Sequence, residues 1–391
     1  MSGMNFLEKL LDRAAVEWLP LEVVAKIKHG KDWKGLNAGD IPVYGSGGIM
    51  GYVDRYLCNK PTVLIPRKGS ITNIFYVETP LWNVDTIYYT EIDTLRIVPK
   101  YLYYFIKTID LMSLDTGSGR PSLTQAILNK IQIPIPCPDN PEKSLAIQAE
   151  IVRILDTFTA LTAELTAELT DRKKQYNYYR DRLLTFEKGE VEWKTLGDEN
   201  FFEVGSGGTP SKSKPEYWDD GKIPWLKSES CNNEPVYSTN NFITELGLKK
   251  SSAKLLSEKT TLIALVGATI FKTAFLEFHA TTNQNIASIK SKNPDAVNDK
   301  FVFYYITNLY EVLKSEMQNY GMLNLTTLRQ FKIPVPLLAE QARIVAILDK
   351  FDTLTTSIRE GLPREIALRQ KQYEYYRDLL LTFPKSEEVE A

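Results

Sequence analysis

Two kinds of hydrophobic pattern alternate along this chain. From about residue 141 to residue 186, apolar residues fall at Ile151, Leu155, Phe158, Leu161, Leu165, Leu169, Tyr176, Tyr179 and Leu183, the three-and-four spacing of a helix stripe close to a coiled-coil seam. A second stripe runs through Ile344, Leu348, Phe351, Leu354 and Ile358, then Tyr373, Tyr376, Leu380 and Phe383. Pro363, after Gly361, should kink or briefly break this second helix. Some 40 helical residues span roughly 60 Å, more than the width of a small domain. Both stretches therefore read as spacer rods, and two similar rods most simply pack against each other.

The remaining segments, roughly 18–139 and 193–336, have a different grain. Short β-rich runs such as Thr62-Val-Leu-Ile65, Thr86-Ile-Tyr-Tyr89, Leu262-Ile-Ala-Leu265 and Ile286-Ala-Ser-Ile289 are broken by Gly, Pro, Asn and Ser clusters. Helices are expected near Tyr101 to Thr108 and Lys300 to Lys314. The fold class that follows is α+β: two mixed α/β globules with two long antiparallel coiled-coil-like helices and an internal pseudo-two-fold repeat. The expected boundaries are an N-terminal helical segment at 1–17, a first globule at 18–139, a central helical spacer at 140–190, a second globule at 191–336 and a C-terminal helical spacer at 337–391.

The chain repeats itself. Ile133-Pro-Ile-Pro136 returns as Ile333-Pro-Val-Pro336, and the run Gln148 to Asp156 returns as Gln341 to Asp349. KQYNYYRDRLLTF from Lys174 to Phe186 is echoed by KQYEYYRDLLLTF from Lys371 to Phe383. The globules match more faintly but in the same order: Glu17-Trp18 with Glu192-Trp193, Lys100 to Tyr104 with Lys300 to Tyr304, and Ser122-Leu123-Thr124 with Asn324-Leu325-Thr326. The ending Glu388-Val389-Glu390 resembles Glu190-Val191-Glu192, as if the chain were cut from a ring. Near-identical rods beside divergent globules mean that the two parts answer to different demands.

Composition narrows the class. At 391 residues, with 43% hydrophobic and 25% charged residues, the chain has material for two or more cores. Its net charge of −2 is far from the basic balance of a protein that holds nucleic acid by phosphate neutralisation alone. Any DNA contact must then be local, or a partner must supply part of the positive field. Cys58, Cys137 and Cys231 lie far apart and His29 and His279 are the only histidines, so neither a zinc site nor a disulfide framework is expected and a reducing cytoplasm fits. No apolar run reaches the ~20 residues of a membrane span.

Two similar globules on rigid spacers suit a ligand with two spaced sites, and double-stranded DNA is such a ligand. The rods with their TAEL repeats and KQYxYYRD blocks, together with GGTPSKSKPEYW from Gly207 to Trp218 and ATTNQN from Ala280 to Asn285, resemble the specificity subunit of type I restriction-modification systems, in particular the type IC subgroup. The resemblance covers essentially the whole chain. It implies a subunit without chemistry of its own and with no cofactor of its own. Two methyltransferase subunits would use S-adenosylmethionine, and two restriction and translocation subunits would use ATP and Mg. Each globule, as a target recognition domain, would read one half of a split DNA sequence and direct adenine-N6 methylation and restriction. A self-contained modifying enzyme and a purely structural coiled-coil adaptor are the competing readings. Against the first, no Asn/Asp-Pro-Pro-aromatic methyltransferase motif occurs in the sequence.

Candidate DNA contacts follow from residue type and setting. Gly45-Ser-Gly-Gly48 and Gly205-Ser-Gly-Gly208 lack the Gly-Lys-Ser/Thr of a P-loop and read as tight turns, with Ser46 or Ser206 placed to touch a phosphate. Arg67, Lys68 and Ser70 follow a strand and suit a loop meeting the DNA backbone or a groove, as does Arg120. In the second globule Thr209, Ser211, Lys212 and Lys214 form a polar stretch, and Lys227-Ser228 follows Ile223-Pro-Trp225. Asn283, Gln284 and Asn285 suit either bidentate adenine contacts or loop-stitching amides. Leu155, Phe158, Leu165, Leu169, Tyr176, Tyr179, Leu348, Phe351, Ile358, Tyr373 and Tyr376 are assigned to rod packing, with outward tyrosines such as Tyr178 and Tyr375 left for the methyltransferase. Arg172, Lys173 and Lys174 form a solvated or phosphate-facing edge.

Overall fold

A computed structural model describes residues 15–115, 119, 121–187, 189–316, 321–357 and 360–383. The chain forms two compact units, residues 1–166 with 365–391 and residues 167–364. Each is an α+β assembly of one globule with helical segments from both rods.

In the first unit, strands β1 (Val16–Pro20), β2 (Ala25–Lys28), β3 (Ile41–Gly45), β4 (Gly48–Val53), β5 (Thr62–Pro66), β6 (Phe75–Val77), β7 (Trp82–Asn83), β8 (Ile87–Ile92) and β9 (Gln132–Pro136) precede or surround helices α1 (Pro99–Ile106) and α2 (Gln125–Asn129). They make a four-stranded sheet in the order β2-β8-β5-β6, a three-stranded sheet β4-β3-β7 and the pair β1-β9. Prolines at alternate positions of β9 survive because this strand pairs only with β1. Of the expected N-terminal helical segment, residues 1–14 lie outside the described residues. Val16 and Glu17 differ from that expectation by opening β1, because Trp18 pairs across to Pro134.

Helix α3 (Pro141–Leu183) is one unbroken 43-residue helix, and its residues from Ala167 onward belong to the second unit. There follow β10 (Glu192–Thr195), β11 (Phe202–Ser206), β12 (Ile223–Leu226), β13 (Glu234–Val236), β14 (Phe242–Ile243), β15 (Thr260–Ala264), β16 (Thr273–Leu276), β17 (Thr281–Thr282), β18 (Ile286–Ser291), α4 (Asp299–Asn308), α5 (Tyr310–Glu316), α6 (Leu325–Arg329) and β19 (Lys332–Val335). The sheets are β11-β18-β15-β16-β13, β14-β12-β17 and β10-β19. The second rod is two helices, α7 (Leu338–Thr355) and α8 (Gly361–Leu381). Its break falls before Gly361 rather than at Pro363. Gly361 holds a φ of +81°, and a Cβ there would press on the carbonyls of Thr353 and Leu354. Pro363 sits in the first turn of α8, where a missing N–H costs nothing.

The repeated rod residues prove to be the fastenings between rod and globule. Gln148, fully buried, accepts from Val98 N at 2.8 Å and donates to Arg96 O at 3.1 Å. Gln341, equally buried, accepts from Asn298 N at 2.9 Å and donates to Ala296 O at 2.8 Å. Two turns further along, Asp156 accepts from Tyr104 Oη at 2.5 Å and Lys100 Nζ at 2.9 Å. Asp349 accepts from Tyr304 Oη at 2.6 Å and faces Lys300 Nζ at 3.2 Å. Burial, reinforced by the adjoining carboxylate, pushes both tyrosine hydroxyls well above their usual pKa.

Rod packing follows the same equivalence inside each unit. Phe158 stacks on Tyr376 at 5.2 Å and 21°, and Phe351 stacks on Tyr179 at 5.7 Å and 26°. Tyr176 also lies against Phe351 at 5.9 Å, while Tyr373 packs on the core of the first unit that contains Leu155. Leu348 is fully buried, Leu165 and Leu169 are half-buried, and Ile358 lies outside the described residues. Tyr178 and Tyr375 are 59% and 63% exposed, leaving the outward tyrosines bare in the chain alone.

Candidate nucleic-acid interface

In the first unit the chain brings several of the proposed contact residues together. Gly45 to Gly48 is a two-residue hairpin turn between β3 and β4, with Gly48 at φ +115°. Ser46 N donates to Thr86 Oγ1 at 3.3 Å, and Ser46 O accepts from Asn73 Nδ2 at 3.1 Å. The loop after β5 runs alongside: a Cβ added to Gly69, which has φ +83°, would lie 3.2 Å from Ser46 Oγ. Arg67 reaches Asp85 O at 3.5 Å, and Lys68 and Ser70 are exposed. Arg120 lies outside the described residues. The result is an exposed cationic loop braced by a hairpin, which suits a polyanion's backbone.

The second unit builds a different surface on the same frame. Gly205-Ser-Gly-Gly208 is not a tight turn. Gly205 and Ser206 continue β11 opposite Ser288 and Ala287, Gly207 lies so close to Thr282 that any side chain would collide, and Gly208 is pressed against Ser252. These glycines permit close backbone approach instead. Thr209 Oγ1 donates to Gln284 Oε1 at 2.5 Å. Ser211 O accepts from Trp218 Nε1 at 3.0 Å, and Trp218 meets Trp225 edge-on at 5.0 Å. Lys214 donates to Tyr217 Oη at 3.2 Å, a bond that raises its pKa further, while Lys212 is exposed. Lys227 lies over the Trp225 ring at 5.9 Å, and Ser228 O accepts from Thr269 Oγ1 at 3.0 Å.

Of the three amides, Asn283 is buried and uses its Oδ1 to accept from Asn285 N at 3.1 Å. Asn283 therefore stitches the loop. Asn285 is half-buried, and Gln284 alone of the three is exposed. The matching loop of the first unit carries Asp85 and Thr86, neither singled out by sequence. The strands flanking them, β7 and β17, are two residues long, too short for periodicity to align. Arg172 pairs with Glu168 at 3.5 Å and Lys174 with Asp171 at 3.0 Å, so the basic edge of α3 is largely self-neutralised.

Comparison with known proteins places this geometry. The family model described as "Type I restriction modification DNA specificity domain" matches twice, over residues 21–172 and 190–368. The chain is 43% identical to the type I restriction enzyme EcoR124I/EcoR124II specificity subunit of Escherichia coli, covering 100% of both. It is 33% identical to a putative type I restriction enzyme specificity subunit of Haemophilus influenzae, over 98% of this chain and 99% of that one. A crystal structure of the S subunit from M. genitalium shares the fold at a TM-score of 0.61 and 16% identity, over 96% and 98% of the two chains. With two such matches on two equivalent globules, the chain belongs to the family of type I restriction-modification DNA specificity proteins.

Proposed function

We propose that this chain is the sequence-reading subunit of a type I restriction-modification enzyme. Each globule reads one half of a bipartite, asymmetric target in double-stranded DNA, and partner subunits carry out adenine-N6 methylation and restriction. The observation that carries this reading is the pairing of a common frame with unlike loops. Gln148 and Gln341 fasten the two units in the same way, yet Arg67, Lys68 and Ser70 stand in one globule where Leu265, Val266 and the Gly267 turn stand in the other.

On this reading two methyltransferase subunits dock on the repeated helices, where Tyr178 and Tyr375 are exposed, and two restriction subunits complete the enzyme. S-adenosylmethionine, ATP and Mg belong to those partners, and the complex works in the cytoplasm. Among the described residues, no helix is long and apolar enough to cross a membrane. The net charge of −2 implies weak DNA binding by the chain alone, with partners adding the positive field.

Sequencing modified adenines in cells that carry the methyltransferase gene, with and without this gene, tests the reading. A bipartite consensus that appears only with this chain supports it. Methylation independent of the chain, or the absence of any consensus, refutes it.

A further inference from the structure

The two globules share one rigid loop whose tip differs. In the first, β7 leads through Val84, Asp85 and Thr86 into β8; in the second, β17 leads through Asn283, Gln284 and Asn285 into β18. Four backbone hydrogen bonds recur in register. Lys31 N to Asn83 O at 2.9 Å matches Gly208 N to Thr282 O at 2.8 Å, and Val84 N to Tyr44 O at 3.0 Å matches Asn283 N to Leu226 O at 2.9 Å. Ile87 N to Val84 O at 3.2 Å matches Ile286 N to Asn283 O at 3.3 Å, and Arg67 N to Thr86 O at 2.8 Å matches Leu265 N to Asn285 O at 2.8 Å. A glycine, Gly30 or Gly207, backs each loop so closely that a Cβ would strike its backbone.

Within this frame Trp82, Asn83 and Val84 are buried, as are Thr281, Thr282 and Asn283, and then a single polar side chain emerges fully. It is Asp85 in one unit and Gln284 in the other. A side chain held on a locked backbone at an exposed tip meets the requirement for preorganised recognition, and its change between units is what two unlike half-sites require. Cationic residues flank both tips: Arg67 reaches Asp85 O and Lys68 N bonds Thr86 O in the first unit, and Lys227 follows Leu226, whose carbonyl holds Asn283 N, in the second.

We propose that this tip is the base-reading position of each globule, Gln284 meeting adenine and Asp85 meeting cytosine on their major-groove edges. The inference rests on the DNA-recognition reading above. A glutamine amide pairs bidentately with adenine N7 and N6, whereas a carboxylate only accepts, as the cytosine N4 amino group requires. Thr209 hydrogen-bonds Gln284 Oε1 at 2.5 Å, which orients the amide and leaves Nε2 and one Oε1 lone pair for the base. Thr209 is thus a positioning residue.

The test uses the assembled methyltransferase complex and maps modified adenines for wild type, Gln284→Ala, Asp85→Ala and Thr209→Val. Gln284→Ala should relax one A·T position in one half-site, with about a tenfold to hundredfold loss of discrimination, and leave the other half-site intact. Asp85→Ala should relax one C·G position in the opposite half. Thr209→Val should weaken the Gln284 position and Thr209→Ser should restore it, a rescue that a purely structural role would not confine to one base pair. Where methylation is too weak to map, competition binding by the purified variant complex to duplexes differing at that pair reads the same quantity. Wild-type discrimination in the Gln284 variant overturns the assignment while leaving the function standing. A wild-type complex with no bipartite consensus overturns the function instead.

Discussion

Phe383 closes edge-on against Tyr101, with ring centroids 6.4 Å apart and planes at 75°, so the end of the second rod seals the core of the first globule. The same seal recurs where Phe186, ending the first rod, meets Phe301 at 6.3 Å and 68°. The first unit is therefore completed by a rod end that the chain reaches only after leaving its globule, and the second by one that it passes before entering its globule. Phe383 is 5% exposed, and Phe383→Ala should destabilise the first unit by about 3–5 kcal/mol. Hydrogen exchange in α1 measures this; unchanged protection there would show that the seal contributes nothing.

Gln341→Ala removes a buried partner from Asn298 N–H and from the carbonyls of Ala296 and Pro336. Leaving such groups unpaired costs about 1–3 kcal/mol each, so the denaturation midpoint of the second unit should fall. Gln148→Ala should do the same to the first unit. Gln341→Glu should rescue little, because a carboxylate replaces the Nε2 donor.

Asp352 is half-buried near the end of α7, and desolvation raises its pKa despite the Thr356 hydroxyl that donates to it at 3.0 Å. A folded-state pKa above the unfolded value means that the folded state holds the proton more tightly. Stability from this group is greatest below the unfolded pKa and is lost as pH rises through the folded one. Asp352→Asn should therefore raise the Tm at neutral pH. The gain should shrink as pH falls from the raised folded-state pKa towards the ordinary carboxylate value and vanish below it; a gain independent of pH would contradict the linkage.

Much of this architecture was legible because the rods are long and periodic. Leu155, Phe158, Tyr176 and Tyr376 announce their packing through spacing alone, and the repeated Gln148 and Asp156 mark contacts whose partners only the folded chain reveals. What the sequence hid is short or tertiary. Gly205 to Gly208 looks like the turn at Gly45 to Gly48, yet Gly205 and Ser206 continue β11, and Gly207 and Gly208 lie close against Thr282 and Ser252. Asn283 and Gln284 are neighbours of like chemistry, and only the fold buries one and exposes the other. Asp85 carries no motif, and its equivalence to Gln284 comes from backbone hydrogen bonds rather than residue identity.

Thr162-Ala-Glu-Leu165 is followed at once by Thr166-Ala-Glu-Leu169, and the helix runs unbroken through both, with Thr166 Oγ1 donating to Thr162 O at 2.7 Å. The division between the two units falls just after Thr166. Inserting one further TAEL after Leu169 adds about 6 Å and about 40° of rotation to the helix. With base pairs about 3.4 Å apart, the unread gap between half-sites should lengthen by one or two base pairs. An unchanged gap at full activity would refute the role of this helix in setting the distance between half-sites.

The most direct test of the central claim, that each unit reads its own half-site, is to exchange residues 18–139 for the corresponding segment of a relative with a different target and to map methylated adenines in the cell. The account predicts a hybrid consensus in which one half is the relative's and the other half is unchanged. A consensus altered in both halves would contradict it.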